Sequence, residues 1–185
     1  MNDNNSYSSY FENFFKDIYH YELDRKDKIE KSLIHIISII IVICGVSIYF
    51  FDNLPNFFSC FFAIMFFALY FMLIYCIFVS TYFFIRTYHN YSYGYLPKPK
   101  EIEKDIKDFK EYYKTIIVNG DKISNKVEED MRNYITTWYI ESSEKNTTNN
   151  DMKSYFRHMT YKWFIGILVF LILSSFMFFL NNLLK

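Results

Sequence analysis

Between Phe57 and Ile85 the chain runs about 29 residues without a charged side chain, and phenylalanine makes up roughly a third of them. As an α-helix rising about 1.5 Å per residue, such a run is about 43 Å long, more than the ~30 Å hydrocarbon core of a bilayer. A helix that is apolar on every face has little use in a small water-soluble core. The chain is therefore expected to be a membrane protein.

Two further stretches carry the same signal. Ser32 to Phe51 is uncharged over about 20 residues, with His35 its only imidazole, and Trp163 to Leu180 is uncharged over about 18 before the polar pair Asn181 and Asn182. In lipid such segments satisfy their backbones internally as helices. A cleaved signal peptide does not fit, because some 30 polar and charged residues precede the first apolar run.

The formal net charge of zero excludes a strongly basic, nucleic-acid-binding surface over the whole chain, but it hides an asymmetry. Lys16, Arg25, Lys26, Lys28 and Lys31 precede the first span, whereas Asp52-Asn53-Leu54-Pro55-Asn56 between spans one and two has no basic residue. Arg86 and most of the remaining lysines follow span two. Basic flanks stay on the cytosolic side. The expected topology is N-terminus in, a tight external turn at 52–56, the middle segment in and the C-terminus out. This divides the chain into a cytosolic tail and amphipathic helix (1–31), a two-span hairpin (32–86), a cytosolic helical hairpin (87–162) and a third span (163–185). The fold class is all-α.

Residues 1–9 read as a disordered tail. From Tyr10, the residues Phe11, Phe14, Phe15, Ile18, Tyr19 and Leu23 recur at helical spacing, as in an amphipathic helix lying on a membrane face or a partner. The basic residues that follow serve as topology anchors beside anionic lipid. In span one, His35, Ser38 and Gly45 share a face, which marks either close helix packing or a water-lined path. Cys44, Cys60 and Cys76 all fall within spans, where free thiols act as small apolar residues.

The stretch from Tyr91 to Pro99, with Gly94 and two prolines, is an elbow that cannot be helical throughout. Pro99 opens a helix whose seam is Ile102, Ile106, Phe109, Tyr113 and Ile116. Gly120 is expected to end it, and Asn125 with Glu128 reads as a capping pair for the next helix. The stripe of that second helix is Val127, Met131, Tyr134 or Ile135, and Trp138. Neither stripe can be buried alone, so the two helices are expected to form an antiparallel hairpin. Further on, Ser142, Asn146, Asn150, Lys153 and Arg157 lie at spacings of four and three. They form either a solvated face or a polar surface for an anionic ligand or a neighbouring subunit.

There is no glycine-rich phosphate loop, no metal-binding cysteine or histidine set and no nucleophile-elbow pattern. His20, His35, His89 and His158 are scattered. No enzyme activity, metal or cofactor is expected.

The run Tyr19-His20-Tyr21-Glu22-Leu23-Asp24-Arg25-Lys26-Asp27-Lys28-Ile29 stands directly before a two-span hairpin. It resembles, together with the elbow Tyr91-Ser92-Tyr93-Gly94-Tyr95-Leu96-Pro97 and the array Asn146, Asn150, Lys153 before a third span, small bacterial multi-span membrane effectors of anti-phage defence, SLATT-like and Hailong-type. The resemblance implies a homo-oligomeric ion channel or pore that depolarises an infected cell, gated by a nucleotide or oligonucleotide from a partner nucleotidyltransferase. Arg25, Lys26, Lys28, Lys153 and Arg157 would then meet the phosphates, beside Asn146 and Asn150. The alternative is a non-channel membrane adaptor or immunity-type protein that holds a soluble partner through its cytosolic hairpin.

Overall fold

The computed structural model describes residues 3–53, 60–117 and 120–183, without the side chains of residues 3–9, 60 and 182. The described residues form four helices: α1 (Asp3–Asp52), α2 (Cys60–Tyr88), α3 (Pro99–Ile116) and α4 (Gly120–Leu183). Three of them are long and apolar enough to cross a membrane, and we describe the chain as a membrane protein. Most of the turn expected at 52–56, the first residues of span two and the Cys60 side chain lie outside the described residues.

Two compact units share these helices, one made of residues up to Arg25 with Ser92–Asn150, the other of Lys26–Tyr91 with Asp151–Lys185. Residues 26–31, 87–91 and 151–162 thus belong with the spans.

In the second unit α1 buries Ile29, Leu33, Ile36, Ile40, Ile43, Ser47 and Phe50, which alternate four and three residues apart, a heptad seam. Leu33, Ile36, Ile40 and Ile43 form one core cluster with Leu73 and Cys76 of α2 and Ile167 of α4. Phe50, Phe66 and Phe178 form another. Small residues allow close approach: a Cβ at Gly166 would lie 3.3 Å from the Cys76 sulfur, and the buried Ser80 hydroxyl donates to the Thr160 carbonyl at 3.3 Å. Three tyrosine hydroxyls donate to main-chain carbonyls of α1: Tyr70 to Ser47 at 3.0 Å, Tyr88 to Glu30 at 2.8 Å and Tyr161 to Ser32 at 3.1 Å. On the other side of each span large apolar side chains point outward, among them Ile41, Phe71, Phe78 and Ile172, each about two-thirds exposed. Three spans with such a surface are suited to lipid.

In the first unit α1 is already helical from Asp3, although residues 1–9 read as a tail. No glycine or proline between Asp3 and Ser9 interrupts it. Its apolar face packs on its own chain: the Tyr19 ring meets Tyr139 of α4 edge-on, 5.5 Å between centroids. Pro99 stands in the first turn of α3, and the Glu101 carboxylate accepts the Lys98 N–H at 3.1 Å. Ile102, Ile106, Phe109 and Tyr113 are half-buried, while Ile116 is exposed. Val127, Met131 and Tyr139 of α4 are buried. The helix α4 starts at Gly120, with Asp121 in its first turn. Asn125 therefore lies inside the helix and is not its cap, and Gly120 begins a helix where it was expected to end one.

The Tyr113 hydroxyl donates to the Asp130 carboxylate. This bond holds the Asp130 carboxyl below its ordinary range, helped by Lys126, and raises the Tyr113 phenol above its own. The carboxylate's contribution to stability is thus complete above the ordinary aspartate value and is lost as pH falls through the lowered folded value. The phenol's contribution is complete below the ordinary tyrosine value and fades as pH rises through the raised one. Thermal unfolding in detergent should show an acid loss below about pH 4 in the parent chain. Asp130→Asn should lack that component, and superimposable acid profiles of the two would refute the assignment.

Candidate functional site

Where α2 ends, the backbone turns through Asn90, whose φ of 69° lies in the left-handed region, which asparagine tolerates better than most residues. Residues 91–98 are neither helix nor strand, so their N–H and C=O groups need partners from elsewhere. In the first unit the partners at Ser92 and Gly94 are asparagines of α4, while Lys98 is served by the start of α3. The Asn146 side chain spans the Gly94 main chain: its Oδ1 accepts the Gly94 N–H at 2.8 Å and its Nδ2 donates to the Gly94 carbonyl at 3.0 Å. One turn on, Asn149 Nδ2 donates to the Ser92 carbonyl at 2.9 Å.

Asn150 completes the clasp. Its Oδ1 accepts the Tyr93 hydroxyl at 2.6 Å, and its Nδ2 donates to the Glu22 carbonyl at 2.7 Å and to the Glu22 carboxylate at 2.8 Å. Glu22 is itself buried and pairs with Arg25 at 3.4 Å. The amides of Asn146 and Asn150 are thus fully buried and occupied at both their oxygen and their nitrogen. Gly94 is required by proximity, since a Cβ there would lie 2.7 Å from Ser142 Cα.

In the second unit Lys153, also buried, holds Glu30 through its Nζ at 2.5 Å, and the same ammonium lies 5.1 Å from the Tyr91 ring centroid. Arg86 lies 5.2 Å from the Phe156 ring centroid. Arg157 is half-buried, its guanidinium 3.5 Å from the Ser154 hydroxyl. Lys28 is exposed and Lys26 half-buried.

The expected ligand set is therefore divided. Asn146, Asn150 and Arg25 converge on the clasp, and Lys153 turns to Glu30. The polar face read from the sequence is neither a solvated face nor an open surface at these positions: burial without in-chain partners would be costly, and the partners are there.

His35, Ser38 and Gly45 lie on the exposed side of α1. The Ser38 hydroxyl donates back to the Ile34 carbonyl at 3.1 Å, and a Cβ at Gly45 would meet no described atom within 4 Å. Helix packing within the chain uses the opposite seam. Among the described residues no group of histidine, cysteine and carboxylate side chains could hold a metal ion.

Glu22, Tyr93 and Glu30 were not singled out as site residues from the sequence. The signal that marks them is the run of amides at 146, 149 and 150 on one helix side, with the small pair Ser142 and Ser143 preceding it. Amides clustered in this way need partners, and an elbow with a glycine offers main-chain groups.

Comparison with protein-family models, with curated proteins and with solved structures finds no match to this chain.

Asn146→Ala strips both Gly94 main-chain groups of their partner. It should cost about 1–3 kcal/mol, read as a fall of roughly 3–10 °C in the detergent-phase midpoint. Gly94→Ala should be at least as damaging, because Ser142 has to give way. A melting point unchanged in both variants would remove the clasp from the list of structural determinants.

Proposed function

We propose that the chain is a membrane effector of a bacterial anti-phage defence system. Several copies assemble into an ion channel or pore, and opening depolarises the infected cell. A nucleotide or oligonucleotide from a partner nucleotidyltransferase controls the opening. The protein sits in the inner membrane with its N-terminus and the unit around Ser92–Asn150 in the cytosol and its C-terminus outside.

The observation that carries this reading is the outward face of span one. A bilayer-facing helix is mostly apolar, yet His35, Ser38 and Gly45 interrupt this face, and among the described residues they use no partner beyond the local bond of Ser38. An imidazole within a span, here in its first turn, is at home beside water or another polar group. Assembly of several copies would supply both.

A second reading has an observation of its own. Because Asn146, Asn150 and Lys153 are engaged internally, they are poorly placed to meet a nucleotide first. A non-channel adaptor or immunity-type protein needs no such ligand and would hold a soluble partner through α3 and the first part of α4.

Expressed in a bacterium, the chain should collapse membrane potential, as read by a voltage-sensitive dye. Replacing His35 and Gly45 with leucine should reduce that effect at least tenfold without lowering the amount in the membrane. Intact potential at full membrane expression, together with co-purification of a soluble protein, would decide for the adaptor.

A further inference from the structure

The surface of the first unit carries a hollow of about 440 Å³ lined by Asp105, Asp108, Phe109 and Tyr112 of α3 and Tyr134 of α4. Its size falls in the range of small-molecule sites. Phe109, Tyr112, Tyr134 and the two aspartates line the hollow mostly through apolar atoms, and among the described residues no basic side chain joins them. That is selective in a chain whose acidic and basic residues balance at 20 each. The nearby lysine Lys107 is turned to Glu103 at 2.7 Å. Among the described residues neither Asp105 nor Asp108 has an ion-pair partner.

Carboxylates left unpaired beside exposed aromatic faces attract one class of ligand. A ring face is negative and draws a cation, and a cation with a greasy shell loses less hydration on contact than a small metal ion. Spacing explains the arrangement. Asp105, Asp108, Phe109 and Tyr112 fall three, one and three residues apart, so they share one side of α3, and Tyr134 closes the hollow from α4. Phe109 and Tyr134 belong to the stripes expected to pack between the two helices, whereas Tyr112 lies outside them, is 59 % exposed and has its ring available to a ligand.

We propose that this hollow binds an organic cation of the quaternary ammonium class, seated on Phe109, Tyr112 and Tyr134 and neutralised by Asp105 and Asp108. The site is independent of the pore reading and stands if that reading falls. The trimethylammonium group could come from a free small molecule or from a lipid headgroup, and the same chemistry recognises both.

Trp138 reports on the site, because its ring lies 6.3 Å from Tyr134. In the full-length Trp163→Phe chain, purified in maltoside detergent, Trp138 is the remaining tryptophan. Titration with choline chloride should give a saturable change in its emission that sodium chloride at equal ionic strength does not. The uncharged isostere 3,3-dimethylbutanol should bind at least tenfold more weakly. Tyr112→Leu, an exposed position whose loss leaves the fold intact, should weaken choline about 2- to 30-fold, and Asp108→Asn should weaken it further in low salt. A response to phosphatidylcholine vesicles but not to free choline or to phosphatidylglycerol vesicles assigns the headgroup as source and supports the site. Equal binding of choline and its neutral isostere overturns the proposal, as does an unaltered affinity in both variants. Saturation by an arginine-rich peptide where choline gives none also overturns it, in favour of protein docking.

Discussion

A chain that leaves a helix must find new partners for every main-chain N–H and C=O it frees, and the fold of the first unit depends on how residues 91–98 do so. Among the described residues no strand takes up the elbow, and turn and cap bonds of the main chain serve it only at the Lys98 carbonyl, through the Glu101 and Ile102 N–H groups. A primary amide has one acceptor and two donor hydrogens, so Asn146 can complete both polar groups of a single residue, and at Gly94 it does. The close approach that makes these bonds possible is what excludes a side chain at position 94. Asn150 extends the same device to Glu22 on α1. Two separate segments, the elbow and α1, are thus gathered on one side of α4 by side-chain amides, beside the apolar contact of Tyr19 with Tyr139.

The spanning unit rests on different physics. Lipid tails are as apolar as leucine, so burying leucine between helices gains little there, and contact must come from fit and from hydrogen bonds. The buried seam of α1 accordingly ends in Ser47 and Phe50, the Cys76–Gly166 approach is tight, and Ser80 reaches a carbonyl on the neighbouring helix. The bulky residues that dominate the composition are mostly outside, where they meet acyl chains.

The spans were legible because lack of charge over 18 or more residues is a property of each segment alone, independent of its neighbours. The start of α3 was legible for a similar reason, since Pro99 and Glu101 act locally. The role of Asn146 and Asn150 was not. Their shared face and its need for partners can be read from spacing, but whether that face meets water, a ligand or the chain itself depends on segments 52 and 128 residues away. Asn125 shows the converse error: a capping pair is a local pattern, and a helix that had already begun at Gly120 ran through it. The seam of α3 was correctly placed but shallower than its pattern implies, with no residue of that helix buried.

The hydroxyls of Tyr70, Tyr88 and Tyr161 reach α1 near both ends of its membrane stretch, and from two different helices. Each acts on a carbonyl that already serves the helix, through its second lone pair. A twist of α1 about its long axis, or a slip by one residue, would break all three at once, at about 0.6 kcal/mol each in a bilayer, and would also drag the interlocked seam out of register. Tilting the three helices together disturbs none of these bonds. The least costly movement open to this unit is therefore that of a single lever, and spinning or pistoning of one rod among its neighbours is the motion it is built to resist.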